Sequence, residues 1–140
     1  MLIELAEFQE TESGTFKTEF ITVDGHSINV FINMGGAELD EEAVNFARQY
    51  LSRELEIRQQ AATKVYSENE DIKNELEYST VEDFYKALEP GSLTVLWQIH
   101  ETRMAYLSPL DDLELWGENH VILVCYERDY DELSINLEQD

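Results

Sequence analysis

Carboxylates are the reactive groups this chain offers in quantity. Asp111, Asp112, Glu114 and Glu118 flank Trp116 in one short segment. Carboxylates set around an indole make a receptor for Arg and Lys, through charge-assisted hydrogen bonds and the attraction of a cation to an aromatic face. Glu127, Asp129, Asp131 and Glu132 repeat the theme at the next connection, and Glu68, Glu70, Asp71 and Glu75 form a third group further upstream. The first two groups, with Trp116, are the candidate partner-binding residues, and whether the groups share a face decides between a docking site and a coat that keeps the chain soluble. Trp116-Gly117 itself has two readings: a tight turn whose Trp packs on a sheet, or an interface anchor of the kind Trp often provides.

Other chemistries lack their residues. His26, His100 and His120 stand at separate turns and strand ends, with no pair at zinc-ligand spacing, so no transition-metal site is expected. Asp129-Tyr130-Asp131-Glu132 lacks the spacing of a calcium loop. Cys125 lies in the apolar run Val121 to Tyr126, where a thiol is inert. Gly35-Gly36 is a turn and no phosphate loop. No cofactor is expected, and no catalytic constellation is visible. An enzyme reading survives only as a small carboxylate-dependent hydrolase using paired acids or His120, which needs a cleft that perturbs their titration.

Thirty-one Asp and Glu against nine Lys and Arg give a formal charge of -22 on 140 residues. Such a polyanion is repelled by nucleic acid and acidic membrane and attracts cationic proteins. The excess is uneven. Residues 1–47 hold ten acids and one Lys, whereas Arg48, Arg53, Arg58 and Lys64 outnumber Glu54 and Glu56 in the next stretch; the last forty residues carry eleven acids against Arg103 and Arg128. The expected partner is therefore a basic protein, with no nucleic acid and no membrane.

These groups need a folded body to hold them. With 43% apolar residues and 11% aromatic ones, the chain can bury a core as a single domain over 1–140. No basic-then-apolar leader precedes the first acidic residue, no apolar run reaches membrane-spanning length, and a lone Cys fits a reducing cytoplasm. Phe16–Val23 and Ser27–Asn33 read as a hairpin around Asp24-Gly25, a two-residue type I′ turn, and Leu2–Phe8 adds a possible further strand. Asp40 with Glu41 and Glu42 starts a helix that Val44, Ala47, Leu51, Leu55, Ala61, Ala62 and Val65 carry over roughly 40–66, kinked, with its basic residues on the outer face. Ser79-Thr-Val-Glu82 is a capping box for a short helix stopped by Pro90-Gly91. Leu93, Val95, Trp97 and Ile99 alternate as a strand with Arg103–Leu107 as its return, and Pro109 with Asp111-Asp112 marks a turn. Val121–Tyr126 suits a central strand, and Leu133, Ile135 and Leu137 a final one. The class is α+β with a mainly antiparallel sheet, built from an N-terminal hairpin and C-terminal strands against one long and one or more short helices.

Thr80-Val-Glu-Asp-Phe84, Leu88-Glu-Pro-Gly-Ser-Leu93 and Leu115-Trp116-Gly117 before Val121–Val124, with the early strand pair and long helix, resemble a family of small acidic bacterial domains of unknown function. That family carries an aromatic-Trp-Gly-His tetrad before its penultimate strand. Here the run is Leu115-Trp116-Gly117-Glu118-Asn119-His120, which displaces the imidazole by two residues. The resemblance implies an α+β domain without known catalysis, some relatives of which look like immunity proteins that neutralise toxins of bacterial competition. Charge and resemblance together lead to the expectation of a non-enzymatic protein that occludes a basic toxin, such as a nuclease with a cationic cleft. The other alternative is a structural or oligomerising module, monomer or homodimer, in which an edge strand such as Leu133–Leu137 pairs with a second copy.

Overall fold

Strand alternation organises the molecule. The computed structural model describes residues 3–12, 14–68, 80–107, 120–129 and 131–139. Seven strands lie side by side in chain order: β1 (Gln9–Glu12), β2 (Thr15–Ile21), β3 (Ser27–Asn33), β4 (Glu89–Leu96), β5 (Glu101–Leu107), β6 (His120–Glu127) and β7 (Glu132–Gln139). Neighbours are antiparallel except β3 and β4, which run parallel from Asn29 beside Ser92 to Asn33 beside Leu96. A parallel pair needs a long crossover, and α1 (Glu41–Ser52), α2 (Glu54–Glu68) and α3 (Val81–Ala87) lie within it. The sheet is thus mainly antiparallel with helices, as the α+β class requires, and β6 is the second strand from one margin, with β7 outside it.

One face of the sheet is closed by the helices. Ile28, Val30 and Ile32 of β3, Leu93 and Val95 of β4, Met104 and Tyr106 of β5, and Ile122 and Val124 of β6 have no solvent exposure. They meet Val44, Ala47, Leu51, Ala61 and Val65, which recur at helical spacing on α1 and α2. Each aliphatic side chain so buried contributes about 1.5–3 kcal/mol. Where the glycine before β2 approaches the turn after β3, the space is used up: Met34 N–H donates to the Gly14 carbonyl at 2.6 Å, and a Cβ on Gly14 would stand 2.1 Å from the Gly36 nitrogen.

Helix ends follow local chemistry. Asp40 accepts from the Ala43 amide at 2.9 Å, and Glu41 and Glu42 fill the first turn of α1. At Arg53 the backbone turns to φ -108°, ψ 8°, dividing the expected 40–66 run into α1 and α2. Thr80, one residue later than the expected capping residue, caps α3 by accepting from the Asp83 amide at 3.2 Å. Helix α3 ends at Ala87 with Leu88 as its cap, and Pro90 follows two residues later. That proline sits at the start of β4, where the register with β5 slips and a missing N–H costs the ladder least.

Four local expectations are corrected. Leu5–Glu7 forms a 3-10 turn, and the first strand lies after the expected Leu2–Phe8 segment. The β2–β3 connection is longer than a type I′ turn: Thr22 N–H reaches the His26 carbonyl at 2.8 Å, and within it Gly25 alone takes a positive φ, 90°, where a type I′ turn needs two such residues. Trp97–Ile99 leaves the strand for a 3-10 turn as Trp97 packs on Phe46, ring centroids 5.8 Å apart. Arg58 does not face outward.

Its guanidinium, 2% exposed, is the centre of a buried polar network. Nη2 donates to Glu54 at 2.7 Å and Nη1 to Asp24 at 2.7 Å, joining α2 to the β2–β3 connection. Tyr106 donates to Glu54 at 3.2 Å and lies 3.4 Å from the Tyr50 hydroxyl, which adds β5 and α1. Burial opposes a charged guanidinium, but its hydrogen bonds and attraction to Glu54 and Asp24 outweigh that and raise its pKa. Asp24 is held down at about 2, chiefly by the Arg58 hydrogen bond, against burial and with help from Thr22. Burial pushes the Tyr50 and Tyr106 hydroxyls well above the ordinary phenol range.

Candidate functional site

The sheet's other face carries a row of carboxylates. At one end of the strands the register runs Asn33, Leu96, Glu101, Glu127, Glu132 across five adjacent strands, β3 to β7. Tyr126 and Leu133 point to the helices and pack on the core, so their neighbours Glu127 and Glu132 take the opposite face, as does Glu101 beside inward Thr102. Three acids therefore stand on three consecutive strands; Glu101 is buried, 7% exposed, and Glu127 and Glu132 are the accessible pair. Arg103 compensates one of them, its Nε and Nη2 lying 3.2 and 3.1 Å from the Glu101 carboxylate. Among the described residues, Glu127 and Glu132 hold no ion pair. Like charges directly opposite one another cost a sheet stability.

Behind the row, two turns are clamped together. Arg128 N–H donates to the His100 carbonyl at 2.9 Å, and His100 Nδ1 lies 3.1 Å from Asp129. The Arg128 guanidinium sits 5.7 Å from the Trp97 ring centre. Asp131, at φ 47°, accepts from the Tyr126 hydroxyl at 2.9 Å. That hydrogen bond, followed by burial and the charge of Asp131, raises the Tyr126 pKa. On the helix side of the same turn a cavity of about 460 Å3 opens between α1 and the start of β7, walled by Phe46, Tyr50, Ile57, Tyr126 and Leu133 and rimmed by Gln49, Ser52, Arg53 and Asp131.

Cations are consumed by the fold. Among the described residues, Arg48, Arg53, Arg58, Lys64, Lys86 and Arg103 are ion-paired with Glu or Asp. Lys17 and Arg128 lie over Phe31 and Trp97. Glu12, Glu19, Glu38, Glu42 and Glu89, like Glu127 and Glu132, have no such partner among the described residues. The charge of -22 is thus borne on carboxylates that the chain's own bases leave uncompensated.

Of the residues singled out by sequence, Glu127, Asp129, Asp131 and Glu132 come together around the β6–β7 turn. Two of them face the open sheet, Asp129 is bonded to His100 of the neighbouring turn and Asp131 to Tyr126. Asp111, Asp112, Glu114, Trp116 and Glu118 lie outside the described residues, as do Glu70, Asp71 and Glu75. Glu101 was missed. Its signal is the pairing of β5 with β6, since a strand beginning on Glu opposite a strand ending on Glu sets the two side by side. Trp97, His100 and Arg128 were missed because the strand pattern was carried through Ile99. Cys125, expected within a buried strand, is half-buried. Among the described residues, no three His, Cys, Asp or Glu side chains converge as metal ligands. No described helix is long and apolar enough to cross a membrane.

No protein-family model, curated protein or solved structure matches this chain.

Proposed function

We propose that the protein is a non-enzymatic acidic binding protein that sequesters a basic protein, acting as an immunity protein that occludes the cationic cleft of a toxin of bacterial competition. The observation that carries this reading is the uncompensated pair Glu127 and Glu132, set beside Glu101 by the sheet register while every described Lys and Arg is engaged within the fold. A side-by-side anionic pair lowers fold stability unless a ligand neutralises it. A partner's Lys or Arg does so by charge-assisted hydrogen bonds, and the surrounding field steers its approach. The resemblance to acidic bacterial domains with immunity-like members points the same way. A cytoplasmic site of action accords with blocking a toxin after its entry.

Gene context supplies the test. A large secreted protein with a basic C-terminal domain, encoded immediately upstream, is expected to bind this chain in a complex that dissociates as salt rises past about 0.15 M, where charges are screened over about 8 Å. Co-expression is expected to restore growth to cells producing that domain. Growth arrest unaltered by this chain, with no complex at low salt, contradicts the proposal.

A further inference from the structure

β7 is a margin of the sheet; among the described residues its one strand neighbour is β6. The opposite margin is protected in familiar ways: β1 has four residues, a register slip between Glu10 and Glu12, and acids along its length. β7 has none of the first two. Its eight residues pair with β6 without interruption, from Glu127 beside Glu132 to His120 beside Gln139. A regular edge of that length is a template for another strand, with backbone hydrogen bonds supplying affinity and alternate side chains supplying specificity.

The two faces beside that edge differ. On the helix side, Leu133 and Ile135 pack against the core and Leu133 walls the cavity of about 460 Å3, a size suited to an anchoring side chain. Arg53 at its rim is paired with Glu56 at 3.6 Å. On the open side stand Glu132 and Glu127. We propose that β7 accepts an extended segment of a basic protein as an added strand, in which apolar residues on the helix side reach toward the cavity and a Lys or Arg on the open side, at the Glu132 end, meets Glu132 with Glu127 beside it. This rests on the binding reading above and specifies its mode. A second copy of the chain is disfavoured. Antiparallel pairing about Ile135 brings Leu133 opposite Leu137, but it also sets Glu132 against Glu138 twice, between two bodies of charge -22.

Two nine-residue peptides of equal charge, one alternating Lys with Val and one alternating Lys with Gly, are titrated into the full chain at low salt while binding and amide hydrogen exchange are followed. Val favours an extended strand and fills the helix side, whereas Gly does neither. The Lys–Val peptide is expected to bind about tenfold more tightly, as an anchoring side chain allows, and to slow exchange along 132–139. Gln49→Trp, which plugs the cavity from an exposed position on α1, is expected to remove that advantage and leave Lys–Gly binding unchanged. Equal binding of both peptides without protection of β7 overturns strand addition while the acidic receptor stands. Absence of binding by either overturns both. A chain already dimeric, with β7 amides protected before any peptide is added, gives the edge to a second copy and overturns the proposal.

Discussion

Arg58 shows what a single charge does inside this fold. Its guanidinium ties α2 to the β2–β3 connection and, through Glu54, to Tyr106 and Tyr50. Arg58→Met leaves the nearly buried Glu54 carboxylate without its cation, and a loss of about 3–5 kcal/mol is expected in urea unfolding. Asp24 gives the network a pH signature. Its pKa in the fold, about 2, lies below the ordinary value of 3.8, so its contribution is complete above pH 3.8 and disappears as the pH falls toward 2. Urea midpoints measured across that window are expected to fall in the native chain, and to fall less steeply in Asp24→Asn, which starts lower at neutral pH. Thr102 presents the opposite case. Its hydroxyl is fully buried and has no hydrogen-bond partner among the described residues, so Thr102→Val, nearly isosteric, is expected to stabilise by about 1 kcal/mol; a loss of stability on thermal unfolding would contradict that expectation.

At the scale of elements, the acidic row sets stability against binding. Glu127→Gln and Glu132→Gln each remove repulsion between adjacent strands, and a gain of about 0.2–1 kcal/mol in calorimetry is expected. Unchanged or reduced stability would mean that the pair is compensated in the fold. The same elements show how far sequence reached. Period-two patterns in Ile28, Val30 and Ile32, and in Leu133 and Ile135, located β3 and β7 because one face of each is packed and the other is not. Asp40 marked the start of α1 by its capping chemistry. The Arg58 network was not legible, since Asp24 and Glu54 lie 34 and 4 residues from it and only the crossover brings the hairpin connection to α2. The parallel seam between β3 and β4 was hidden for the same reason: local patterns fix which residues alternate, and long-range register decides what they face. Two of the three acids of the row were foreseen, as Glu127 and Glu132 flank one turn, whereas Glu101 joins them only through the β5–β6 pairing.

For the whole molecule, the central claim is that negative charge is directed by the fold at a basic partner, rather than spread for solubility. The direct measurement is the association rate with the basic partner proposed above, followed from low to physiological salt for two double variants of equal charge. One replaces Glu127 and Glu132 with Gln, and the other replaces the scattered acids Glu19 and Glu38. Loss of a steering patch lowers on-rates by about tenfold or more, while loss of remote charge has a small effect. The row variant is expected to associate much more slowly and with a shallower salt dependence than the scattered one. Equal rates and equal slopes for the two variants would contradict that claim.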